Sequence, residues 1–325
     1  MRRLLIAMIV CTVLLVVVLP AAVLYFWTPA GQEERVKITP GQVQLRVLLQ
    51  ETGQVVTMDL EEYLVGVVAA EMPAVFAPEA LKAQAVVART YALKRKEIAA
   101  QGGNPHHPEA DVCNDPAHCQ AWHSPKELRA RWGLFPYYLH RNKIEQAVRD
   151  TEGVVATYQG KLIDPVYHST SNGNTENSEE VWKLAVPYLR SVESPWDLVS
   201  PKYHAQVTYD VSEVATRLGL DPGSLAGQPG LPLKVLELTG GGRVKKIQVG
   251  DQVLTGEEFR RLLDLNSAAV SWERQGDRVI FTTKGYGHGV GMSQYGANGM
   301  ALEGYNYQQI LSYYYNGIQL YRITE

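Results

Sequence analysis

The stretch from residue 60 to residue 95, LEEYLVGVVAAEMPAVFAPEALKAQAVVARTYALKR, decides the fold of this chain. Its first apolar residues recur at the i, i+3, i+4, i+7 and i+8 spacing of one buried helix face: Leu60, Tyr63, Leu64, Val67 and Val68. Met72 and Pro73 should end this helix, because the residue before a proline is pushed out of the α region. A second helix is predicted from Pro78, a favourable first-turn residue, to about Ala100.

Glu71 is the residue of chemical interest in this stretch. It comes four places after Val67, so it continues the apolar stripe. A carboxyl group on an apolar face, near the negative end of a helix dipole, should have a raised pKa on both counts. A general acid that works near neutral pH is made in this way. The spacing alone leaves open the plainer interpretation that Glu71 ends the stripe and turns outward.

The N-terminus carries a membrane signal. Residues 4–27 are 24 uncharged and mostly apolar positions after two arginines, which is long enough to span a bilayer. We predict that residues 1–27 are a cytoplasmic stub and a transmembrane signal anchor, residues 28–42 a polar linker, and residues 43–325 an extracytoplasmic domain. A cleaved signal peptide is less favoured, since the sequence offers only a poor cleavage site. The net charge of −3 and the lack of a basic run argue against nucleic acid as a partner.

The remaining chain alternates between strand-like and helical patterns. These patterns predict a hairpin about Gly53, a helix over residues 143–151, and strands over residues 153–158 and 161–167. Residues 196–283 form a mixed α/β region. We therefore predict an α+β fold, in which a single catalytic body carries that region as an inserted subdomain and follows one N-terminal transmembrane helix.

A predicted loop over residues 102–122 holds four candidate metal ligands: His107, Cys113, His118 and Cys119. Two thiols and two imidazoles within 13 residues match a structural zinc site, and four protein ligands leave no open position for catalysis. His106 could replace His107 as a ligand. The extracytoplasmic setting also permits a disulfide between Cys113 and Cys119, so the residues alone leave both interpretations open.

Two polar sequence motifs are the remaining candidate binding sites. Residues 168–176, HSTSNGNTE, follow a predicted strand, and their hydroxyl and amide groups suit sugar hydroxyls or a carbonyl, although a plain polar turn is the alternative. Residues 285–297, GYGHGVGMSQYGA, have four glycines among their first seven positions, which lets the backbone approach a ligand closely. Their spacing does not fit a phosphate-binding loop. A hydrolase built on His288 and Ser293 lacks the usual G-x-S-x-G signature.

In this order, the motifs resemble the family of stage II sporulation protein D, a lytic transglycosylase of sporulating bacteria. The resemblance spans roughly residues 43–323 and is carried by EYLVGVVAAEMP with ALKAQAVVARTYAL, CNDPAHCQAW, HSTSNGNTEN and GYGHGVGMSQYGANGMA. One departure is visible. The middle motif has Asn172, Gly173 and Asn174 where the family often shows a Gly-Gly pair.

The resemblance implies cleavage of the MurNAc–GlcNAc β-1,4 bond of peptidoglycan, with a 1,6-anhydro end as the product. Glu71 would act as general acid and then as base toward the sugar's own C6 hydroxyl, so one carboxylate suffices where ordinary glycosidases need two. The implied substrate-binding residues are His168, Ser169, Ser171, Tyr188, His288, Ser293, Gln294 and Tyr295. The resemblance also favours zinc over a disulfide at His107, Cys113, His118 and Cys119. That metal would be structural and is not required for the chemistry.

By the same resemblance, the setting is the remodelling of septal peptidoglycan during engulfment of the forespore. The protein would sit in the mother-cell membrane and face the intermembrane space. Denuded glycan is the implied substrate, and stage II sporulation proteins P, an amidase, and M, a membrane protein, are the implied partners. The alternative function is a non-catalytic, membrane-tethered peptidoglycan-binding module or an activator of a cell-wall amidase.

Overall fold

The computed structural model of the protein describes residues 43–104, 106–225 and 230–323. The predicted anchor and linker lie outside these residues. No helix in the described ranges is both long enough and apolar enough to cross a bilayer. Residues 38–325 form a compact unit of their own. Helices and strands are mixed along this unit, in agreement with the α+β prediction.

The elements fall into three runs along the chain. The first run is β1 Gln44–Leu49, β2 Gln54–Asp59, α1 Leu60–Glu71, α2 Pro78–Ala100, β3 Val112–Cys113, α3 Pro125–Trp132, α4 Leu134–Asp150, β4 Val154–Tyr158, β5 Lys161–Leu162, β6 Tyr167–His168 and α5 Ser178–Val181. After a 3-10 helix at Pro195–Val199 come β7 His204–Asp210, α6 Val211–Leu218, β8 Leu233–Leu238, β9 Val244–Val249, β10 Gln252–Thr255, α7 Gly256–Leu262, β11 Val270–Gln275 and β12 Arg278–Lys284. The last run is β13 Met292–Ser293, α8 Gln294–Leu302, α9 Tyr307–Tyr314 and β14 Gln319–Arg322.

Helix α2 lies at the centre of the body and contacts α1, α4, α8, α9 and β4. Small side chains make this possible, since these alanines of α2 are fully buried: Ala80, Ala83, Ala85, Ala88 and Ala92. Helix α1 begins at Asp59, whose Oδ1 accepts hydrogen bonds from the N–H groups of Glu61 and Glu62. It ends at Glu71, two residues before Pro73. The bounds predicted for both helices are confirmed.

A buried arginine of α2 joins this helix to three neighbouring segments. The Arg89 guanidinium donates to Glu61 Oε1 at 2.8 Å, to the carbonyl of Val148 at 3.2 Å and to that of Val154 at 3.2 Å. These acceptors belong to α1, α4 and β4. Arg89 therefore holds the helix that carries Glu71 against the rest of the body.

The strands of the body form three small sheets, ordered β2-β1-β3, β14-β4-β5 and β13-β6. The first contains the predicted hairpin, with Gly53 at a φ of 67° in its turn. In the third, β13 runs parallel to β6, with Met292 opposite Tyr167 and Ser293 opposite His168. This pairing brings the two polar sequence motifs together.

Two predicted elements differ from the structure. The strand expected over residues 161–167 ends at Leu162, and Tyr167 begins a separate strand. Pro165 lies between them and has no N–H to donate to a ladder. The helix expected over residues 143–151 begins earlier, at Leu134. Helix α3 was not predicted, although Ser124 and Glu127 form a capping box at its start.

Residues 204–284 pack into a layered α/β region within the chain. Its strands form two antiparallel sheets, β10-β9-β8 and β11-β12-β7, which pack with α6 and α7. A separate hydrophobic cluster fills it, with fully buried members that include Val214, Ile247, Val249, Phe259, Leu263, Val279 and Phe281. The chain leaves this region at Lys284 and enters the glycine-rich loop directly.

Candidate active site

Glu71 is the last residue of α1, and its side chain is half-buried. Its Oε1 accepts a hydrogen bond from the Ala121 N–H at 2.8 Å, and the Tyr167 side chain bonds to the same carboxyl group. Burial raises the pKa of Glu71, whereas these two hydrogen bonds lower it to a smaller extent. The raised pKa predicted from the apolar stripe is therefore confirmed, with burial as its cause.

The loop before α3 supplies one contact of Glu71, the Ala121 N–H, and bonds to the side chain that supplies the other, Tyr167 of β6. Gln120 Nε2 donates to the Tyr167 hydroxyl at 3.1 Å. Because that hydroxyl accepts from Gln120, its own proton is left for the Glu71 carboxylate. The loop can approach α1 so closely because residue 66 is glycine, since a Cβ there would lie 2.3 Å from Trp122 Nε1. Residues 120–122 thus pack against α1 at Gly66 and form hydrogen bonds with Tyr167 and Glu71.

Two histidines lie next to Tyr167 and have different roles: His168 follows it in β6, and His288 bonds to its backbone. His288 Nδ1 accepts from the Val290 N–H at 3.1 Å, so the neutral ring carries its proton on Nε2. The ring also bonds to the Tyr167 backbone, and burial beside Arg243 lowers the pKa of His288 to about 4. His168 is almost fully buried and bonds through Nδ1 to the Val290 carbonyl at 3.2 Å. His168 therefore supports the loop, while half-buried His288 is the ring closer to solvent.

Two of the predicted substrate-binding serines lie in a buried cluster around Asp197. Ser293 donates to Asp197 Oδ1 at 2.5 Å, and Ser171 donates to Oδ2 at 2.8 Å. Ser194 donates to Oδ2 at 2.6 Å. Ser293 also caps the N-terminus of α8. Its hydroxyl is bonded to a carboxylate and, within the described ranges, to no histidine, so a Ser/His nucleophilic pair is not assembled.

Tyr188 and Gln294 also lie in the interior. The Tyr188 hydroxyl accepts a hydrogen bond from the Asp164 N–H at 2.8 Å. Gln294 is 6% exposed, and its Nε2 donates to Gln84 Oε1 at 3.4 Å. Both side chains therefore hold elements of the body together in this conformation.

Three further side chains of these segments are partly exposed, and one of them contacts His288. The predicted residues Ser169 and Tyr295 are half-buried, and the Tyr295 ring packs edge-on against Phe76. Trp182, which the sequence reasoning missed, is 40% exposed, and its ring centroid lies 5.1 Å from that of His288. A single tryptophan in a short, irregular segment has no periodic signal, so only its position after the HSTSNGNTEN motif could have indicated it.

Glu176, the one carboxylate of the HSTSNGNTEN motif, is not available as a second catalytic group. Glu176 is fully buried, accepts from Thr239 Oγ1 at 3.0 Å and lies 3.4 Å from Arg243 Nε. Arg243 also donates to the Gly287 carbonyl at 2.8 Å. Gly289 has a φ of 87°, and a Cβ there would lie 2.6 Å from Arg243 Cζ. Arg243 thus joins the α/β region of residues 204–284 to the glycine-rich loop.

Three of the four predicted metal ligands lie together. The ligand atoms of His107, Cys113 and Cys119 are all within 4.8 Å of one another. His107 Nδ1 bonds to the Ala110 carbonyl at 3.1 Å, so the lone pair of the neutral ring is on Nε2, which lies 3.4 Å from Cys119 Sγ and 2.9 Å from Asn104 Nδ2. Both thiols are free and are not joined in a disulfide. Two thiols and an oriented imidazole fit zinc.

His118 lies outside this three-residue cluster. Its ring stacks on His106 with a centroid distance of 4.5 Å, and its Nδ1 lies 3.6 Å from Asp115 Oδ2. Of the two adjacent histidines, the structure places His107 in the cluster, whereas His106 is exposed and stacks on His118. His118 remains a candidate fourth ligand by sequence position, next to Cys119.

We expect His107→Ala to lose zinc and His106→Ala to keep it. Loss of the metal should lower the melting temperature by about 5 °C or more, because ligand binding to the folded state stabilises it. Metal content by atomic emission and thermal unfolding of both variants check this. Equal zinc contents in the two variants would contradict the assignment of His107 as a ligand.

Comparison with known proteins agrees with the motifs. The family model described as Stage II sporulation protein matches residues 49–158. Stage II sporulation protein D of Bacillus subtilis (strain 168) is 42% identical over 289 residues, covering 88% of this chain and 81% of that protein. The protein of the same name from Bacillus amyloliquefaciens is 41% identical over 290 residues, covering 89% and 81%. The amidase enhancer of Bacillus subtilis (strain 168) is 28% identical over 308 residues, covering 79% of this chain and 40% of that protein. This chain therefore belongs to the stage II sporulation protein D family and has a role in sporulation.

Proposed function

We propose that this protein is a membrane-anchored lytic transglycosylase that cleaves the MurNAc–GlcNAc β-1,4 bond of denuded peptidoglycan. The observation that carries the proposal is the state of Glu71, a half-buried carboxyl group whose pKa burial raises while two hydrogen bonds hold its position. Family membership and the sporulation role support a cell-wall substrate.

One carboxyl group can perform both proton transfers of this reaction. Protonated Glu71 gives its proton to the glycosidic oxygen as the C1–O4 bond breaks. The carboxylate then takes the proton of the C6 hydroxyl of the same MurNAc, as O6 bonds to C1. No water is consumed, and Glu71 ends protonated as it began. Burial favours the acid, whereas the Ala121 N–H and the Tyr167 hydroxyl favour the carboxylate, so both forms are accessible.

The neighbouring side chains suit the binding of a sugar. His288 is neutral and half-buried, so its ring can form part of the wall of a sugar site without adding a charge. Trp182 offers an exposed aromatic face beside it, and Ser169 offers a hydroxyl. The buried residues His168, Ser171 and Ser293 act instead by fixing the two loops around His288. The same holds for Tyr188 and Gln294.

Zinc would have a structural role. Bound by His107, Cys113 and Cys119, it would cross-link the loop whose next residues, Gln120 and Ala121, hold Tyr167 and Glu71. The metal would then fix the geometry of the acid without touching the substrate.

The setting forms part of the proposal. Residues 1–27 would anchor the protein in the mother-cell membrane, with the catalytic domain in the intermembrane space. Stage II sporulation proteins P and M are the proposed partners. An amidase that strips stem peptides would supply the denuded glycan.

A non-catalytic peptidoglycan-binding module, or an activator of a cell-wall amidase, is the second candidate function. The specific observation that favours it is the relative named amidase enhancer. Such a module would use the same polar surface to hold glycan and would have no need of proton transfer at Glu71.

The deciding experiment is digestion of purified glycan strands, with and without stem peptides, by residues 38–325, followed by mass spectrometry. The proposal expects an anhydro-muramyl end, one water lighter than a reducing end, and faster cleavage of denuded strands. A hydrated reducing end would identify a hydrolase and contradict the proposal. Binding without cleavage of either substrate would favour the second candidate.

The pH dependence should report on the contact between Tyr167 and Glu71. The Tyr167 hydroxyl stabilises the carboxylate, so Tyr167→Phe should raise the pKa of Glu71 further. Because the first step needs protonated Glu71, the loss of activity at high pH should move to higher pH in this variant. The measurement is the pH profile of kcat/KM on denuded glycan.

Tyr63→Phe is the matched control for this change. Tyr63 lies on the same helix as Glu71, and its buried hydroxyl has no hydrogen-bond partner in the part of the chain that the structure describes. Removal of the Tyr63 hydroxyl should leave the pH profile of kcat/KM unchanged. A Tyr167→Phe profile that coincides with the wild-type profile would show that this hydroxyl does not act on Glu71.

A further inference from the structure

An unusual apolar surface lies at the start of α4. It consists of four exposed side chains, which we call the α4 surface: Leu134, Phe135, Tyr138 and Leu139, with exposed fractions of 55%, 86%, 53% and 71%. Their spacing of i, i+1, i+4 and i+5 places them on one side of the helix. The other side already packs into the core through Tyr137, Ile144, Ala147 and Val148. The α4 surface is therefore a second apolar side that the described residues do not cover.

The apolar character of this side ends within the helix. Further along the same side, the exposed residues are Asn142, Gln146 and Arg149. A solvent-facing helix side of ordinary composition would be polar from its start. Clustered exposed apolar groups of this kind mark an interaction site.

Basic side chains flank the α4 surface. Residues 125–143 contain five Lys or Arg and a single acid, Glu127, in a chain with a net charge of −3. The flanking residues Lys126, Arg129 and Arg131 on α3 are exposed. No ion pair within the described ranges involves any of them. The Arg129 guanidinium lies over the Tyr137 ring at 5.0 Å, so the charges of Lys126 and Arg131 are the ones left to an anionic partner.

We propose that the α4 surface docks on an anionic lipid bilayer. Phe135 and Leu139 would enter the boundary between head groups and acyl chains, and these two basic residues of α3 would contact the phosphates. Aromatic and leucine side chains bordered by Lys and Arg are the composition of elements that lie on membranes. Anionic leaflets attract such basic side chains within a Debye length.

The proximity of a bilayer follows from the chain length. The predicted anchor ends at residue 27, and 15 residues separate it from the described body, which reach about 50 Å at most when extended. The setting of the docking therefore rests on the proposed anchor, whereas its chemistry rests on α3 and α4 alone.

Docking would place the acid near the bilayer. Lys143 of α4 donates to the carbonyls of Val75 and Phe76, at 3.3 Å and 2.5 Å. These residues belong to the segment that directly follows Glu71. A body held by the α4 surface would therefore present Glu71 to glycan close to the membrane, and not to distant wall layers.

The test uses residues 38–325, which lack the predicted anchor and form a compact unit of their own. Flotation with vesicles of phosphatidylcholine plus phosphatidylglycerol, and of phosphatidylcholine alone, measures the bound fraction. We expect at least tenfold stronger partition onto the anionic vesicles. The double variant Phe135→Asp with Leu139→Asp should partition onto the anionic vesicles at least tenfold more weakly than the wild type.

The matched control places the same two charges on exposed apolar residues elsewhere, Val253→Asp with Leu302→Asp, and should bind as the wild type does. Thermal unfolding of each variant confirms folding, and turnover of soluble glycan should be unchanged in both. Equal binding to the two lipid compositions, no binding by the wild type, or self-association through the α4 surface would each overturn the proposal. Failure of glycan cleavage would leave the vesicle result intact, so the two proposals can fail separately.

Discussion

Glu71→Gln should abolish glycan cleavage and leave glycan binding in place. Glutamine is nearly isosteric with glutamate and can still accept the Ala121 hydrogen bond, but it can neither give nor take the proton that the reaction moves. General acid and base catalysis each contribute roughly 10²- to 10⁴-fold, so turnover should fall by about a thousandfold or more. Product analysis by mass spectrometry, with binding measured by co-sedimentation with insoluble glycan, checks both parts.

The same variant should be more stable than the wild type at neutral pH. Because burial raises the pKa of Glu71 in the folded state, the charged form disfavours folding. The stabilising effect of the protonated form is fully present below the ordinary carboxyl pKa and is lost as the pH rises through the raised value. The difference in melting temperature between Glu71→Gln and the wild type should therefore be present at neutral pH and disappear in acid.

Wild-type turnover in this variant would contradict the catalytic role of Glu71 and favour the binding module.

Arg89→Met should be the most destabilising of these substitutions. It removes the donor of two buried carbonyls, Val148 and Val154, and leaves Glu61 without its partner. Breaking one side of a buried ion pair costs about 3–5 kcal/mol, and we expect a loss of unfolding free energy in that range. Denaturant unfolding of residues 38–325 measures it.

Arg95→Met on the same helix is the control. Arg95 is 32% exposed and lies 3.6 Å from Asp164, so its removal should cost less than about 1 kcal/mol. If Arg89→Met were as stable as Arg95→Met, the buried arginine would not be what joins α1, α4 and β4.

The regular helices could be predicted because their residues obey one period. Apolar spacing and Pro73 defined α1, and Pro78 marked the start of α2. The first turns of α4 could not be predicted in the same way, since Leu134 and Phe135 point outward while Tyr137 points inward. Apolar residues on both sides remove the periodic signal, so only the second half of that helix was expected.

The raised pKa of Glu71 could be predicted, but the residues that hold its side chain could not. Glu71 stood out because it is a carboxylate that continues an apolar stripe, a local property of the sequence. Its contact with Ala121 joins residues 50 positions apart, and no local pattern records such a contact. Ser171 and Ser293 were predicted to bind substrate, but in the structure both donate to Asp197. A small polar residue that satisfies the buried Asp197 carboxylate looks, in sequence, the same as one that binds a sugar.

The parallel pairing of β6 with β13 joins two segments that are synthesised far apart in time. The Ser293 hydroxyl and the Ser169 carbonyl that it contacts are separated by 124 residues, and the whole subdomain lies between them. Closing so long a loop is entropically unfavourable, and such distant pairs form late in folding. The helix of Glu71 can form early, but His288 joins it only when the C-terminal part of the chain has been made and folded. Under the proposed function, a chain whose C-terminal part is not yet folded lacks His288 at the site and cannot yet cleave glycan.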